Sequence, residues 1–241
     1  MLNQSCLRLG FCEETGDRLV GKECVILLHG LGRTKYSMTK IERRLKEEGY
    51  LVVNCDYPST KKTIEELSRI HVSEAVKCCR NQSAKKIHFV THSLGGILVR
   101  QYLQKNSIPD GGRVIMLSPP NKGSVIADRL KNNFLYKWIT GPAGQQLGTG
   151  NKSVPNRLNP IEVEVGVITG NRSLEPWFSS MIPGDDDGKV SVKRAGLKEM
   201  NDFLVVESSH TFIMQNSEVI DQIVIYLKNG RFNPRRLETS Q

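Results

Sequence analysis

Residues 87–96 read IHFVTHSLGG. The apolar run Ile87 to Val90 has the length of a buried strand, and Leu94 opens an apolar helical stretch. Ser93 sits at the turn between them. A serine hydroxyl ionises far above pH 7 and is a weak nucleophile unless a neighbouring base takes its proton. A tight strand-to-helix turn lifts that hydroxyl clear of the backbone and leaves free helix N-terminal amides beside it. Gly95 and Gly96 supply the small residues that such a fold-back needs. The corresponding pattern is G-x-S-x-G, from which this stretch departs at its first position, Thr91. The competing reading is a glycine-rich turn whose serine only caps the helix.

Outward from this turn, strand-like segments occur at 24–29, 51–56, 87–91, 113–118, 163–169 and 203–207. Most are near-continuous Val/Ile/Leu runs, as in parallel strands covered on both faces. Helical patterns lie between them. Met38, Ile41 and Leu45 share a face, and Gly49 marks a stop. Thr63 and Glu66 form a capping box that opens a helix with Ile64, Leu67, Ile70 and Ala75 on one side. Val219, Ile223 and Leu227 mark a last helix ending near Gly230. Alternating strands and helices predict one doubly wound α/β domain over residues 1–241. The segment 119–160 is too long for a plain crossover and reads as a small cap over the site or as a surface excursion with a short helix. The tail 231–241 reads as polar and loosely ordered.

The 241 residues suffice for one sizeable core, and no apolar stretch reaches the 18 residues or so of a membrane span. The first residues lack a long apolar core, so the chain as given reads as cytoplasmic; an exported form trimmed of a leader would read the same. The net charge of +9 is dispersed, without long basic runs or interleaved aromatics. That predicts no nucleic-acid partner. It fits a solvated basic surface or attraction to an anionic lipid interface. The six cysteines show no metal-ligand spacing. Cys24 and Cys55 read as small buried hydrophobes, and a Cys6–Cys12 disulfide is open to an exported protein.

In an open α/β sheet the ligand binds at the carboxyl ends of the strands, so a base and its orienting acid belong just after strands. His210 follows the last strand in SSHTFIM. Among the other histidines, His92 adjoins the serine and is expected to point away, His88 is expected to be packed within its strand, His71 to lie near a helix surface, and His29 to end the first strand. For the acid, Asp187 precedes Gly188 in a loop after the fifth strand; Asp185, Asp186 and, further off, Asp56 are alternatives. An aspartate in this role holds the imidazole in one tautomer and stabilises its cation. The Leu94 amide follows the serine, and the Leu31 amide lies between Gly30 and Gly32 after the first strand. Together they form a candidate oxyanion hole. The chain order Ser93, Asp187, His210 is that of α/β-hydrolases.

Six segments carry a resemblance: VILLHGLGRT (25–34), DYPST (56–60), FVTHSLGGILVR (89–100), GPAGQQLG (141–148), DDDGKVSV (185–192) and SSHTFIM (208–214). They resemble, in order and over nearly the whole chain, α/β-hydrolases of the bacterial lipase and esterase type, including the lipase-like branch related to GPI inositol-deacylases. That branch also resembles this chain in using non-glycine residues where Thr91 stands. The resemblance implies Ser93 as nucleophile, Asp187 as acid, His210 as base, and Leu31 and Leu94 as oxyanion donors. It implies an α/β-hydrolase fold with a compact, mostly parallel sheet of six or seven strands and helices on both faces. The expected activity is a carboxylic ester hydrolase (a lipase or esterase) with no cofactor or metal, acting on a small-molecule or lipid ester. The short insert of mixed polarity predicts short to medium acyl chains. An acyltransferase or thioesterase using the same three residues, and a non-catalytic binding protein on the same scaffold, are the alternatives.

Overall fold

A computed structural model of the chain describes residues 23–109 and 111–233. The first residues and the expected Cys6–Cys12 pair lie outside the described residues, as does nearly all of the tail. Among the described residues six strands form the sheet: β1 Cys24–Leu28, β2 Leu51–Cys55, β3 Ile87–His92, β4 Arg113–Leu117, β5 Glu164–Gly170 and β6 Asp202–Val206. Every pairing is parallel, in the order β2-β1-β3-β4-β5-β6. All six lie within one residue of the bounds read from the sequence, because runs of Val, Ile and Leu buried on both faces have few alternative structures. The direction of winding reverses between β1 and β3. A crevice opens at such a switch point, beyond the carboxyl ends of the two strands. Those ends carry His29-Gly30-Leu31-Gly32 and Ser93.

Helices cover both faces. They are α1 Thr39–Glu47, α2 Ile64–Leu67, α3 Ser73–Asn81, α4 Leu94–Leu103, α5 Val125–Leu130, α6 Phe134–Gln145, α7 Val154–Arg157, α8 Pro176–Ser179, α9 Val192–Ala195 and α10 Ser217–Asn229. Side chains on β1 alternate between two cores. Cys24, Ile26 and Leu28 join the core under α2, α3 and α4, whereas Val25 and Leu27 join the one under α1 and α10. The Thr63/Glu66 capping box forms as read. Gly230 ends α10 in the left-handed region, at φ 72°.

Two readings need correction. His71 is buried, not near a surface. A wide π turn at Ser68–Val72 separates α2 from α3 and shifts the helical phase, turning His71 and Val72 inward while Ile70 stays half-buried. Cys24 is not a bare buried thiol: it is bonded to Cys79, with Cα atoms 5.9 Å apart, within the ordinary range. The bond ties β1 to α3. Cys55 is buried and free, as read.

The segment 119–160 folds as α5, α6 and α7. Helix α6 kinks at Gly141, where φ is 61° and Pro142 follows. A side chain at Gly141 would strike the Thr60 carbonyl, so the second half of α6 lies directly on the DYPST loop after β2. No helix among the described residues is long and apolar enough to cross a membrane.

The Cys24–Cys79 bond closes a chain segment of 55 residues. Replacing both cysteines by alanine should remove about 2–4 kcal/mol of stability. Urea unfolding reads this as a lower midpoint, and an unchanged midpoint would show that the bond contributes nothing.

Candidate active site

Ser93 occupies φ 51°, ψ −116°, a region that non-glycine residues rarely enter. Its N–H donates to the Leu117 carbonyl at 2.9 Å, which pins the turn to β4. Its side chain accepts no capping hydrogen bond although it stands at the N-cap of α4. The helix-cap reading of Ser93 therefore fails, and the hydroxyl is left for another use. The strain is held by close packing. A Cβ at Gly95 would stand 2.6 Å from the Leu28 carbonyl oxygen, so only glycine lets α4 lie this near β1. Thr91 is accommodated the same way: a Cβ at Gly96 would sit 3.3 Å from Thr91 Oγ1. The small residue missing from the first position of the pattern is supplied by Gly96 across the turn. The Thr91 hydroxyl donates to the Ile115 carbonyl at 3.3 Å.

Asp187 and His210 meet, although 23 residues separate them. His210 Nδ1 lies 2.9 Å from Asp187 Oδ2, and the His210 backbone N–H donates to the Asp187 carbonyl at 2.8 Å. Gly170, ending β5, allows this because any side chain there would collide with Ser208 and Asp187. The other carboxylate oxygen accepts the N–H groups of Lys189 at 3.0 Å and Val190 at 2.8 Å. Burial opposes the Asp187 charge, but the attraction and hydrogen bond of His210, aided by Ser118 and the Val190 N–H, outweigh it and hold the carboxyl below its usual range. The Ser118 hydroxyl acts here without a hydrogen bond of good geometry. With Nδ1 committed to Asp187, His210 keeps Nε2 for a further partner.

The rival acids serve elsewhere. Asp186 accepts from the Ser179 hydroxyl and the Gly188 N–H, both at 2.7 Å, and so anchors α8. Asp185 is exposed. Asp56 accepts the Lys35 N–H at 3.0 Å and lies 3.5 Å from His29 Nε2. His88 is packed as read, accepting the Arg113 N–H on Nδ1 at 3.0 Å. His29 directly follows β1, stacks on Tyr57 at 4.0 Å between ring centres, and donates from Nδ1 to the Gly30 carbonyl.

The loop after β1 lies against the serine. A Cβ at Gly30 would be 2.7 Å from His92 Nδ1 and 3.3 Å from Ser93 Cβ. The Gly32 N–H donates to the Ser59 hydroxyl at 2.9 Å, and the Tyr57 hydroxyl donates to the His29 carbonyl. Leu31 is thus fixed between two anchored glycines, and Leu94 follows Ser93 at the start of α4. Arg33 donates to the Thr211 carbonyl at 3.2 Å, linking this loop to the one carrying His210. Sequence reasoning missed Tyr57, Ser59, Ser118 and Arg33 as supports; their only signal is that each lies just beyond the carboxyl end of a strand. Among the described residues no group of three or more His, Cys, Asp or Glu is arranged to hold a metal ion.

No protein-family model and no curated protein sequence matches the chain. Solved structures do. The mature lipase BlEst2 of Bacillus licheniformis is similar at a TM-score of 0.75 and 19% identity, over 89% of this chain and 96% of its own. A monoacylglycerol lipase of Paleococcus ferrophilus is similar at 0.57 and 18%, over 88% and 97%. Phospholipase PlaB of Legionella pneumophila is similar at 0.58 and 20%, over 73% of this chain and 46% of its own. The fold is that of the α/β-hydrolases.

Because its native pKa is depressed, Asp187 binds fewer protons folded than unfolded near pH 3–4. Its contribution to stability is complete above the ordinary carboxyl pKa of about 4 and is lost as the pH falls through the lower native value. The melting temperatures of wild type and Asp187→Asn should therefore differ at pH 6 by an amount that shifts against the wild type at pH 3. A difference independent of pH would contradict the depressed carboxyl.

Proposed function

We propose that the chain is a serine hydrolase of carboxylic esters. The observation that carries this is the strained, uncapped Ser93 directly after His92, whose ring lies 4.8 Å from that of His210, itself paired with the buried Asp187. Ser93 Oγ attacks the acyl carbonyl while His210 Nε2 takes its proton. The Leu31 and Leu94 amides stabilise the resulting oxyanion. His210 returns the proton to the leaving alcohol, and water, activated by the same imidazole, releases the acyl group. Asp187 keeps His210 in the tautomer with its proton on Nδ1 and stabilises the imidazolium that forms. Backbone strain that serves only a binding scaffold has no evident use at a serine, which weighs against the non-catalytic alternative.

The surface around the site favours a lipid ester at an anionic interface. The first half of α6 exposes Phe134 (82%), Leu135, Trp138 (80%) and Ile139. Its second half packs beside the loop after β1, since a Cβ at Gly144 would be 3.3 Å from Leu31. Leu174 and Trp177 are exposed on the segment that Asp186 anchors. Exposed apolar residues gathered on one helix, as on α6, mark an interaction surface. Segment 119–160 also carries Lys122, Arg129, Lys131, Lys137, Lys152 and Arg157 against a single acidic residue, Asp128. Cations beside aromatic anchors suit anionic head groups. In this reading the segment is a cap that meets the lipid, and the acyl chains are short to medium. The buried Cys24–Cys79 bond favours an oxidising compartment over the cytoplasm.

Ser93→Ala should lower turnover of p-nitrophenyl butyrate by about 10⁵–10⁶-fold and abolish labelling by a fluorophosphonate. Near-wild-type turnover in that variant would refute the assignment, and faster hydrolysis of the palmitate than of the butyrate would refute the chain-length reading. Trp138→Ser/Trp177→Ser should weaken sedimentation with phosphatidylglycerol vesicles about tenfold or more, ~1.4 kcal/mol, with little binding of either protein to phosphatidylcholine alone. Equal binding of variant and wild type would remove these residues from the interface.

A further inference from the structure

His92 touches both loops that converge on Ser93. Its Nε2 lies 3.0 Å from the main-chain carbonyl of His210. A carbonyl only accepts, so Nε2 carries the proton and Nδ1 a lone pair. Nδ1 faces Gly30, where an added Cβ would stand 2.7 Å away. It is buried and has no hydrogen-bond partner. The ring is 1% exposed, and its centre lies 4.8 Å from that of His210. One imidazole is therefore wedged between the loop after β1 and the loop after β6, while its own main chain continues into Ser93. Arg33 makes the companion tie, so that two successive carbonyls, of His210 and Thr211, are held from the nucleophile's side of the site.

We infer that His92 is a positioning residue, which sets the placement of the His210 ring and the Gly30–Leu31 loop on either side of Ser93. The inference rests on the proposed esterase reading for its kinetic consequence, but not for its geometry. The residue type follows from what the place demands. Leucine would fill the volume and leave the His210 carbonyl without its donor. Lysine or arginine would donate but would set a second positive charge beside an imidazole that must become cationic in turnover. Burial foremost, then repulsion from Arg33 and Lys189 and from His210 whenever that ring is cationic, holds His92 far below the ordinary imidazole range, and the hydrogen bond to the His210 carbonyl acts the other way. The side chain thus donates a hydrogen bond without carrying charge.

The test uses the full chain, with nitrogen-15 NMR of the ring nitrogens and kcat and KM for p-nitrophenyl butyrate. In the wild type, His92 should hold its proton on Nε2 and not titrate between about pH 5 and 8. In His92→Leu, kcat per folded molecule should fall about 10- to 100-fold with KM changed by less than about twofold. The low-field resonance of the His210 Nδ1–H shared with Asp187 should broaden as well. In His92→Gln the amide N–H reaches towards the same carbonyl, and most of the lost kcat should return. A wild-type His92 that titrates in this range or carries its proton on Nδ1 overturns the proposal. So does a folded His92→Leu that keeps wild-type kcat and the His210 resonance. If the leucine variant does not fold, the ring-nitrogen measurement and a folded His92→Gln decide; a glutamine variant as inactive as Ser93→Ala counts against the proposal. A wild type that neither hydrolyses the ester nor reacts with a fluorophosphonate refutes the esterase reading instead, and the His92 tautomer and His210 resonance still report on the placement.

Discussion

The contact between Gly95 and the Leu28 carbonyl is the constraint on which the site depends. It brings the first turn of α4 onto the end of β1 at a distance no side chain would tolerate. Only with that approach does Ser93 reach φ 51°, a conformation costing on the order of 1–3 kcal/mol. The cost is offset by the burial around it: Leu28, Leu94, Ile97 and Leu98 are all fully buried. The sheet's own order then does the rest. Because winding reverses between β1 and β3, the loop after β1 and the turn after β3 emerge side by side. The glycine loop and the serine need no further device to meet.

His210 and Asp187 arrive from the far side, after β6 and in the loop beyond β5, and their meeting is a matter of hydrogen bonding more than of topology. A carboxylate with no solvent contact is expensive unless its oxygens are satisfied. Here two backbone N–H groups occupy Oδ1 and the imidazole occupies Oδ2. The loop that supplies those N–H groups is itself closed by the Asp186 carboxylate on the Gly188 N–H. Adjacent aspartates thus divide the work, one building the turn and the other facing His210. That division explains why a run of three acidic residues, which would normally be a solvated cluster, holds one that is wholly buried.

How far the sequence speaks depends on the range of the interaction. The strands were legible because Val, Ile and Leu runs declare themselves locally, and Ser93 because the turn chemistry lies within five residues of it. Asp187 and His210 were placed by their positions after strands, which is information about topology carried by sequence order. The Cys24–Cys79 bond was not legible, since 55 residues separate its ends and no spacing rule links them. Nor was the role of His92, whose partner lies 118 residues away. His71 misled for a different reason: a single π turn changed the helical phase, and no composition signal marks such a turn. Thr91 stood out as a departure from pattern, and it became intelligible only once Gly96 was seen to face it.

The electrostatics of the site are lopsided in a way that bears on the reaction proposed for it. Arg33 and Lys189 bring positive charge towards His92, and the nearby Glu175 carboxylate lies 3.8 Å from Lys189. Such a surrounding, with burial, keeps the His92 ring uncharged, whereas a developing oxyanion on the substrate would be favoured by the same charges. The buried Asp187 carboxylate is the anion in direct contact with His210. Its contribution would be diluted by solvent or by a second cation at contact distance. Both are kept out where His92 sits: the space is filled by an uncharged ring, closed by Gly30 on one side and the His210 carbonyl on the other. The packing that shapes the turn and the charge balance that would drive proton transfer are therefore maintained by the same side chain.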